Sequence, residues 1–230
     1  MSFNLVVGFK LEVDYKMSQG ANMSLREKHK SERMQRLLDA ATCLFLEHGF
    51  DAVKAERIAE MADVSVGTLY NYFGGKNEIL LTLTSIENER LAELGAKFEP
   101  SAEASVEDNF CTLVGMHFNA QHMVLQRDLW RQGFAFAFAA PATAEARRLR
   151  QSDRVLRQQI IDLTVALQAQ GRLSSDLDCE AFGATIFNNA NMLFFEFTWS
   201  ERSTYDDLNK VIMDMTRTIS ALALPRNASA

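Results

Sequence analysis

Between Ser65 and Lys76 the chain reads SVGTLYNYFGGK, and on a short helix starting at Val66 the outward residues are Val66, Gly67, Thr68, Asn71 and Tyr72. That surface carries no charge and contains a glycine, which inside a helix costs roughly 1 kcal/mol relative to alanine. It suits close approach to another molecule. The chemistry it can perform is the reading of a DNA major groove, where the N-terminal residues of a helix meet base edges. Val66 or the Thr68 methyl can touch a thymine methyl, and Asn71 can bond a base or a phosphate. Tyr70, Tyr72 and Lys76 are placed for backbone phosphates, contacts that position a protein without specifying sequence. Lys54 and Ser65 complete the candidate DNA-binding set.

Two further helices must hold this surface in place. Ala55, Ile58, Ala59 and Ala62 recur at three- and four-residue steps, so a helix over about 54–62 has one small, apolar face. Ala59 is its tight spot, because a larger side chain would push the crossing helix away. Asp63-Val64-Ser65 forms the turn, Val64 fills the angle and Ser65 caps the helix that follows. A supporting helix over about 28–48 turns Met34, Leu37, Leu38, Ala41, Leu44 and Phe45 inward and ends at Gly49.

The string VSVGTLYNYFGGKNEIL, with LLDAATCLFLEHGF and IAEMADVS upstream, resembles the recognition helix and flanking helices of the TetR (tetracycline-repressor) family of transcriptional regulators. The resemblance covers about residues 30–80. It departs from the family pattern at two positions. Asp63 stands where glycine is usual in the turn, and Val53 stands where a threonine usually caps the helix. Glu56 lies where a phosphate contact is expected. Aspartate tolerates a left-handed backbone better than most residues, and Asp51 lies near enough to replace the missing cap in part. What the resemblance implies is an all-α chain. A three-helix helix-turn-helix head would be followed by a C-terminal helical domain for ligand binding and dimerisation. The expected domains are 24–75 and 76–230, with residues 1–23 an unassigned arm.

Composition agrees with this architecture. A chain of 230 residues with 47% apolar content can bury a full core, and three prolines and eleven glycines leave long periodic stretches between them. Only the first seventeen residues alternate like a strand. The net charge of −6 is unevenly spread: positions 24–76 hold eight basic and eight acidic residues, whereas the remainder from Asn77 holds fourteen and twenty. Arg26, Lys28, Lys30, Arg33 and Arg36 crowd ahead of the motif, able to approach phosphates or simply to solvate a helix start. Cys43, Cys111 and Cys179 lack metal or redox spacing and point to a reducing, cytoplasmic setting. No apolar run reaches membrane-spanning length, and no cofactor is expected. His117 and His122 are five apart, which does not put them on one helix face as metal ligands.

Beyond the head, a connector helix is expected over about 76–98, with Ile79, Leu80 and Leu83 packed into the head. Helices are then expected over 106–122, 125–139, 142–170, 181–199 and 205–224. The 181–199 segment is apolar all round, and such a helix cannot face water on any long side. The resemblance implies that it and the last helix pair with their copies in a homodimer, presenting two reading helices to a palindromic operator. Met116, Phe118, His122, Trp130, Phe134, Phe136 and Phe138 form an aromatic cluster. The resemblance implies a small-molecule pocket there. Its candidate lining is Met116, His122, Trp130, Phe134, Phe187, Asn188, Asn191 and Phe195, and the effector would be apolar or aromatic. Asn188, Asn191 and Glu196 are possible polar contacts; an ordinary aromatic core is the plain alternative.

Three functional classes compete. The first is a ligand-controlled regulator, usually a repressor. The second is an enzyme, disfavoured because no nucleophile elbow, phosphate loop, metal pair or dinucleotide fingerprint occurs. The third is a helical carrier or interaction dimer whose head has lost DNA binding, which Asp63, Val53 and Glu56 favour slightly.

Overall fold

The structure, a computed structural model, describes residues 24–118 and 125–225. The strand-like N-terminal stretch and His122 lie outside them. Among the described residues there are nine α-helices and no strand. They are α1 (Leu25–His48), α2 (Ala55–Met61), α3 (Val66–Phe73), α4 (Lys76–Gly95), α5 (Val106–Phe118), α6 (Arg127–Ala139), α7 (Ala144–Ala169), α8 (Cys179–Trp199) and α9 (Tyr205–Ala221).

The helix ends follow local chemistry. At the start of α1, Ser24 and Glu27 form a reciprocal capping box, so the helix begins three residues before the expected Lys28. Thr204 and Asp207 do the same for α9. Asp178 accepts from the Ala181 amide and brings the start of α8 forward to Cys179. Gly74 closes α3 at φ 76°, a left-handed conformation that a Cβ would strain. At α2 the N-cap is Lys54 with no side-chain cap, so the partial replacement expected of Asp51 does not form.

The helices fall into two compact units that do not follow chain order. The first holds residues 24–86 and Asp128–Ala146, and therefore includes most of α6. Its core is Leu37, Leu38, Ala41, Leu44 and Phe45 of α1 with Ile58, Ala59, Leu69, Ile79 and Leu80, all buried. The Phe50 ring lies 5.1 Å from that of Phe45 and 5.3 Å from that of Phe136 on α6. At Gly133 a Cβ would come within 2.7 Å of the Thr84 methyl, so α6 and α4 approach closely there.

The second unit holds residues 87–118, 125–127 and 147–225. In it α5 packs on α8 and α9, and α8 on α9. Phe118 of α5 lies 6.0 Å from Phe187 and 6.2 Å from Phe194 of α8, and Phe110 lies 5.9 Å from Phe182. A Cβ on Gly183 would meet the Ile161 backbone at 2.7 Å, so only glycine permits the approach of α8 to α7. No helix of the described residues is long and apolar enough to cross a membrane.

Candidate nucleic-acid interface

The reading surface is built by two short helices, α2 and α3, set against the longer α1. Ala59 is fully buried and Leu69 anchors α3, while Gly67, Tyr70 and Asn71 remain exposed and Val66, Thr68 and Tyr72 half-buried. Tyr70 keeps half of its surface. Ser65 caps α3 through the Thr68 amide at 3.1 Å, and its hydroxyl also lies 2.8 Å from the Thr68 hydroxyl. The Thr68 hydroxyl is thereby engaged within the motif, which leaves its methyl for apolar contact. A Cβ built on Gly67 would meet only the Ser65 hydroxyl, at 3.8 Å, so nothing inside the protein requires glycine at this position.

Asp63 adopts φ 53°, alone among the described non-glycine residues in having positive φ. The turn therefore keeps the left-handed geometry that glycine would supply, with an aspartate in it. Its carboxylate lies 3.6 Å from Arg36 of α1. With both partners so exposed, that pair contributes little to stability. Arg26, Lys28, Lys30, Arg33 and Arg36 are all exposed, as is Lys54 at the start of α2. Glu56 is exposed too, in the first turn of α2, where a negative charge favours the helix end.

Lys76 is placed differently from its sequence expectation. Its ammonium donates to the Phe50 carbonyl at 3.0 Å and the Val53 carbonyl at 2.9 Å, and it sits 4.3 Å from the centre of the Phe50 ring. Two of its three donors are spent on tying α4 to the loop between α1 and α2. Sequence reasoning missed this because the acceptors are backbone groups 26 and 23 residues away.

The candidate effector residues are divided between the two units. Trp130 and Phe134 belong to the first unit, where their rings lie 5.6 Å apart. Met116, Phe187, Asn188, Asn191 and Phe195 belong to the second. Phe187 is buried, but Asn188 is exposed, because successive residues on a helix point about 100° apart. Phe195 is half-buried with its ring 4.4 Å from that of Trp199. Phe138 is exposed, and Phe136 packs on Phe50.

The second unit also contains a part-buried polar network that periodicity did not reveal. Asn88 donates to Asp153 at 2.7 Å, and Gln159 joins His117 to the Ala92 carbonyl through two 2.8 Å contacts. Burial pushes the Asp153 carboxyl up to about 6 against the opposing bond from Asn88. Burial also brings His117 down to about 4, opposed by Gln159. No group of three or more potential metal ligands occurs among the described residues.

A small-residue helix crossing, a left-handed turn and an uncharged outward helix define the class: an all-α protein with an N-terminal helix-turn-helix head. Residues 37–83 match the family described as bacterial regulatory proteins, tetR family. The HTH-type transcriptional repressor KstR of Rhodococcus jostii is 41% identical over 71 residues, 31% of this chain and 34% of that protein. KstR of Mycobacterium tuberculosis is 37% identical over 84 residues, 36% and 37% of the respective chains. The match thus spans about a third of the length of these curated relatives.

The fold is similar over a longer stretch. A TetR-family regulator from Mesorhizobium loti superposes with TM-score 0.62 at 18% identity, over 84% of this chain and 98% of that one. Thermus thermophilus FadR, a TetR-family repressor solved with lauroyl-CoA, gives 0.57 at 23% identity, over 86% and 98%.

Proposed function

We propose that this chain is a ligand-responsive transcriptional regulator, a repressor that leaves its operator when a small apolar or aromatic molecule binds. The observation that carries the proposal is the exposed, uncharged, glycine-bearing surface of α3, which has no internal reason to be glycine at position 67. The basic cluster of α1 supplies phosphate neutralisation, and Lys54, Ser65, Val66, Thr68, Tyr70, Asn71 and Tyr72 supply contacts to DNA. The protein acts where the DNA is, in the cytoplasm. The test is a fluorescence-anisotropy titration against the DNA upstream of its own gene. Salt-sensitive, sequence-preferring binding is expected, weakening by orders of magnitude between about 50 and 200 mM salt; its absence ends the proposal.

Lys76 acts by position in this reading. Replacing it with methionine should cost the head about 2 kcal/mol in a urea melt, because two carbonyls lose a charged donor. The salt slope of DNA binding should stay at its wild-type value, whereas loss of a direct phosphate contact would reduce it by about 1.

The functional particle is a two-fold dimer through α8 and α9. Met192 and Trp199 on α8 are 50% and 62% exposed, and Val211, Met215 and Leu222 lie exposed on or just beyond α9. An apolar set of that size on two packed helices is a surface for association. A Met192→Asp, Met215→Asp double variant should sediment as a monomer at micromolar concentration. Its operator affinity should fall about a hundredfold or more, because two linked heads bind far better than one. A variant that remains dimeric removes this face from the proposal.

α4 is continuous from the first unit into the second, and the effector acts through it. For release, the effector must prefer the conformation whose heads do not fit the two half-sites.

A further inference from the structure

His117 is 1% exposed, and its Nδ1 is buried without a hydrogen-bond partner. Its protonation pattern follows from its neighbours. Gln159 Nε2 donates to the Ala92 carbonyl, an acceptor that cannot serve the amide oxygen instead. Gln159 Oε1 therefore faces His117 Nε2 at 2.8 Å, and that ring nitrogen must carry the proton. Burial keeps the imidazole neutral at physiological pH. Nδ1 is then a bare lone pair, an acceptor and not a donor.

The surroundings hold this arrangement in place. A Cβ on Gly95 would come within 2.4 Å of both His117 Nε2 and Gln159 Oε1, so the glycine leaves room for the pair. The Phe118 ring lies 6.3 Å from His117 and adjoins Phe187 and Phe194, which makes the vicinity aromatic. A buried acceptor left empty is costly, and native proteins rarely keep one without use.

We propose that His117 Nδ1 is the polar anchor of the effector, and that the effector is an apolar or aromatic molecule bearing an uncharged hydrogen-bond donor, a hydroxyl, rather than an anion. This rests on the ligand-responsive reading above. The donor would stand one hydrogen bond from His117, two from Gln159 and three from the Ala92 carbonyl of α4.

The probes are matched alcohols, methyl ethers and carboxylates on octyl, naphthyl and decalyl skeletons, measured by thermal shift and calorimetry on the full chain. For at least one skeleton the alcohol should bind about tenfold tighter than its ether and its carboxylate. His117→Gln places an amide donor where Nε2–H was and removes the Nδ1 acceptor, and should abolish the preference. His117→Asn places an oxygen near Nδ1 and should retain it.

Ethers equal to alcohols, or a preference that survives His117→Gln, overturns the inference and leaves the regulator reading intact. A carboxylate that binds best also overturns it, in favour of the buried Arg157 Nε, which likewise has no partner. Failure of every alcohol to bind overturns it too, and the operator titration then judges the regulator reading separately.

Discussion

Gly67→Ala is expected to stabilise the protein and cripple its DNA binding. The added methyl meets only the Ser65 hydroxyl, at an ordinary 3.8 Å, so the folded chain accepts it without strain. Alanine also restores the helix propensity that glycine gives up, roughly 1 kcal/mol in favour of the folded head. Against DNA the sign reverses. If α3 lies in van der Waals contact with the groove floor, a methyl at its first turn lifts the helix and weakens more than one base contact. Contacts of that kind are worth about 1–3 kcal/mol each, so affinity should fall about a hundredfold. A chemical melt and an anisotropy titration on the same sample read both signs. A more stable protein that binds its operator as well as the wild type would mean that this helix face does not touch DNA.

The second large effect lies in the other unit, where two buried groups titrate with opposite signs. Asp153 rises from 3.8 to about 6 on burial, so the folded state holds its proton longer than the unfolded chain does. Its contribution is fully present below 3.8 and is lost as the pH rises to about 6, a change of about 3 kcal/mol at roughly 1.4 kcal/mol per unit. His117 falls from 6.5 to about 4, so the folded state resists protonation. Its contribution is present above 6.5 and is lost as the pH falls to about 4, again about 3 kcal/mol.

Between about pH 4 and 6 these slopes oppose each other, and the pair leaves wild-type stability nearly level. Asp153→Asn keeps an acceptor for Asn88 and removes the falling arm. Its stability should climb through this window and exceed wild type by about 3 kcal/mol at pH 7.5. His117→Gln should show the reverse slope. Urea denaturation at half-unit pH steps checks both, and parallel curves for wild type and Asp153→Asn would place the titration elsewhere.

The head was legible because its signals are short-range. A period of 3.6, the Gly49 stop of α1 and the Ser65 cap of α3 all act within about four residues of chain. A one-dimensional string therefore contains them. The same logic located α4 to α9 to within a few residues among the described positions, since prolines, Gly171 and capping residues punctuate them. The left-handed turn at Asp63 was also foreseeable, as a property of one residue type in one motif.

What tertiary structure alone decided is how the polar groups pair and which apolar faces stay bare. Lys76 looked free for phosphate, but the folded head supplies two carbonyls and an aromatic ring for its ammonium. His117 looked like half of a failed metal pair, but its partner Gln159 stands 42 residues along the chain. Glycines 95, 133 and 183 owe their role to atoms on other helices. Apolar content made α8 look covered on every side, whereas packing within one chain leaves Met192 and Trp199 open. Helix periodicity is set by the backbone and repeats with the sequence. Hydrogen-bond partners and buried areas depend on which distant segments meet, and that is settled only when the helices pack.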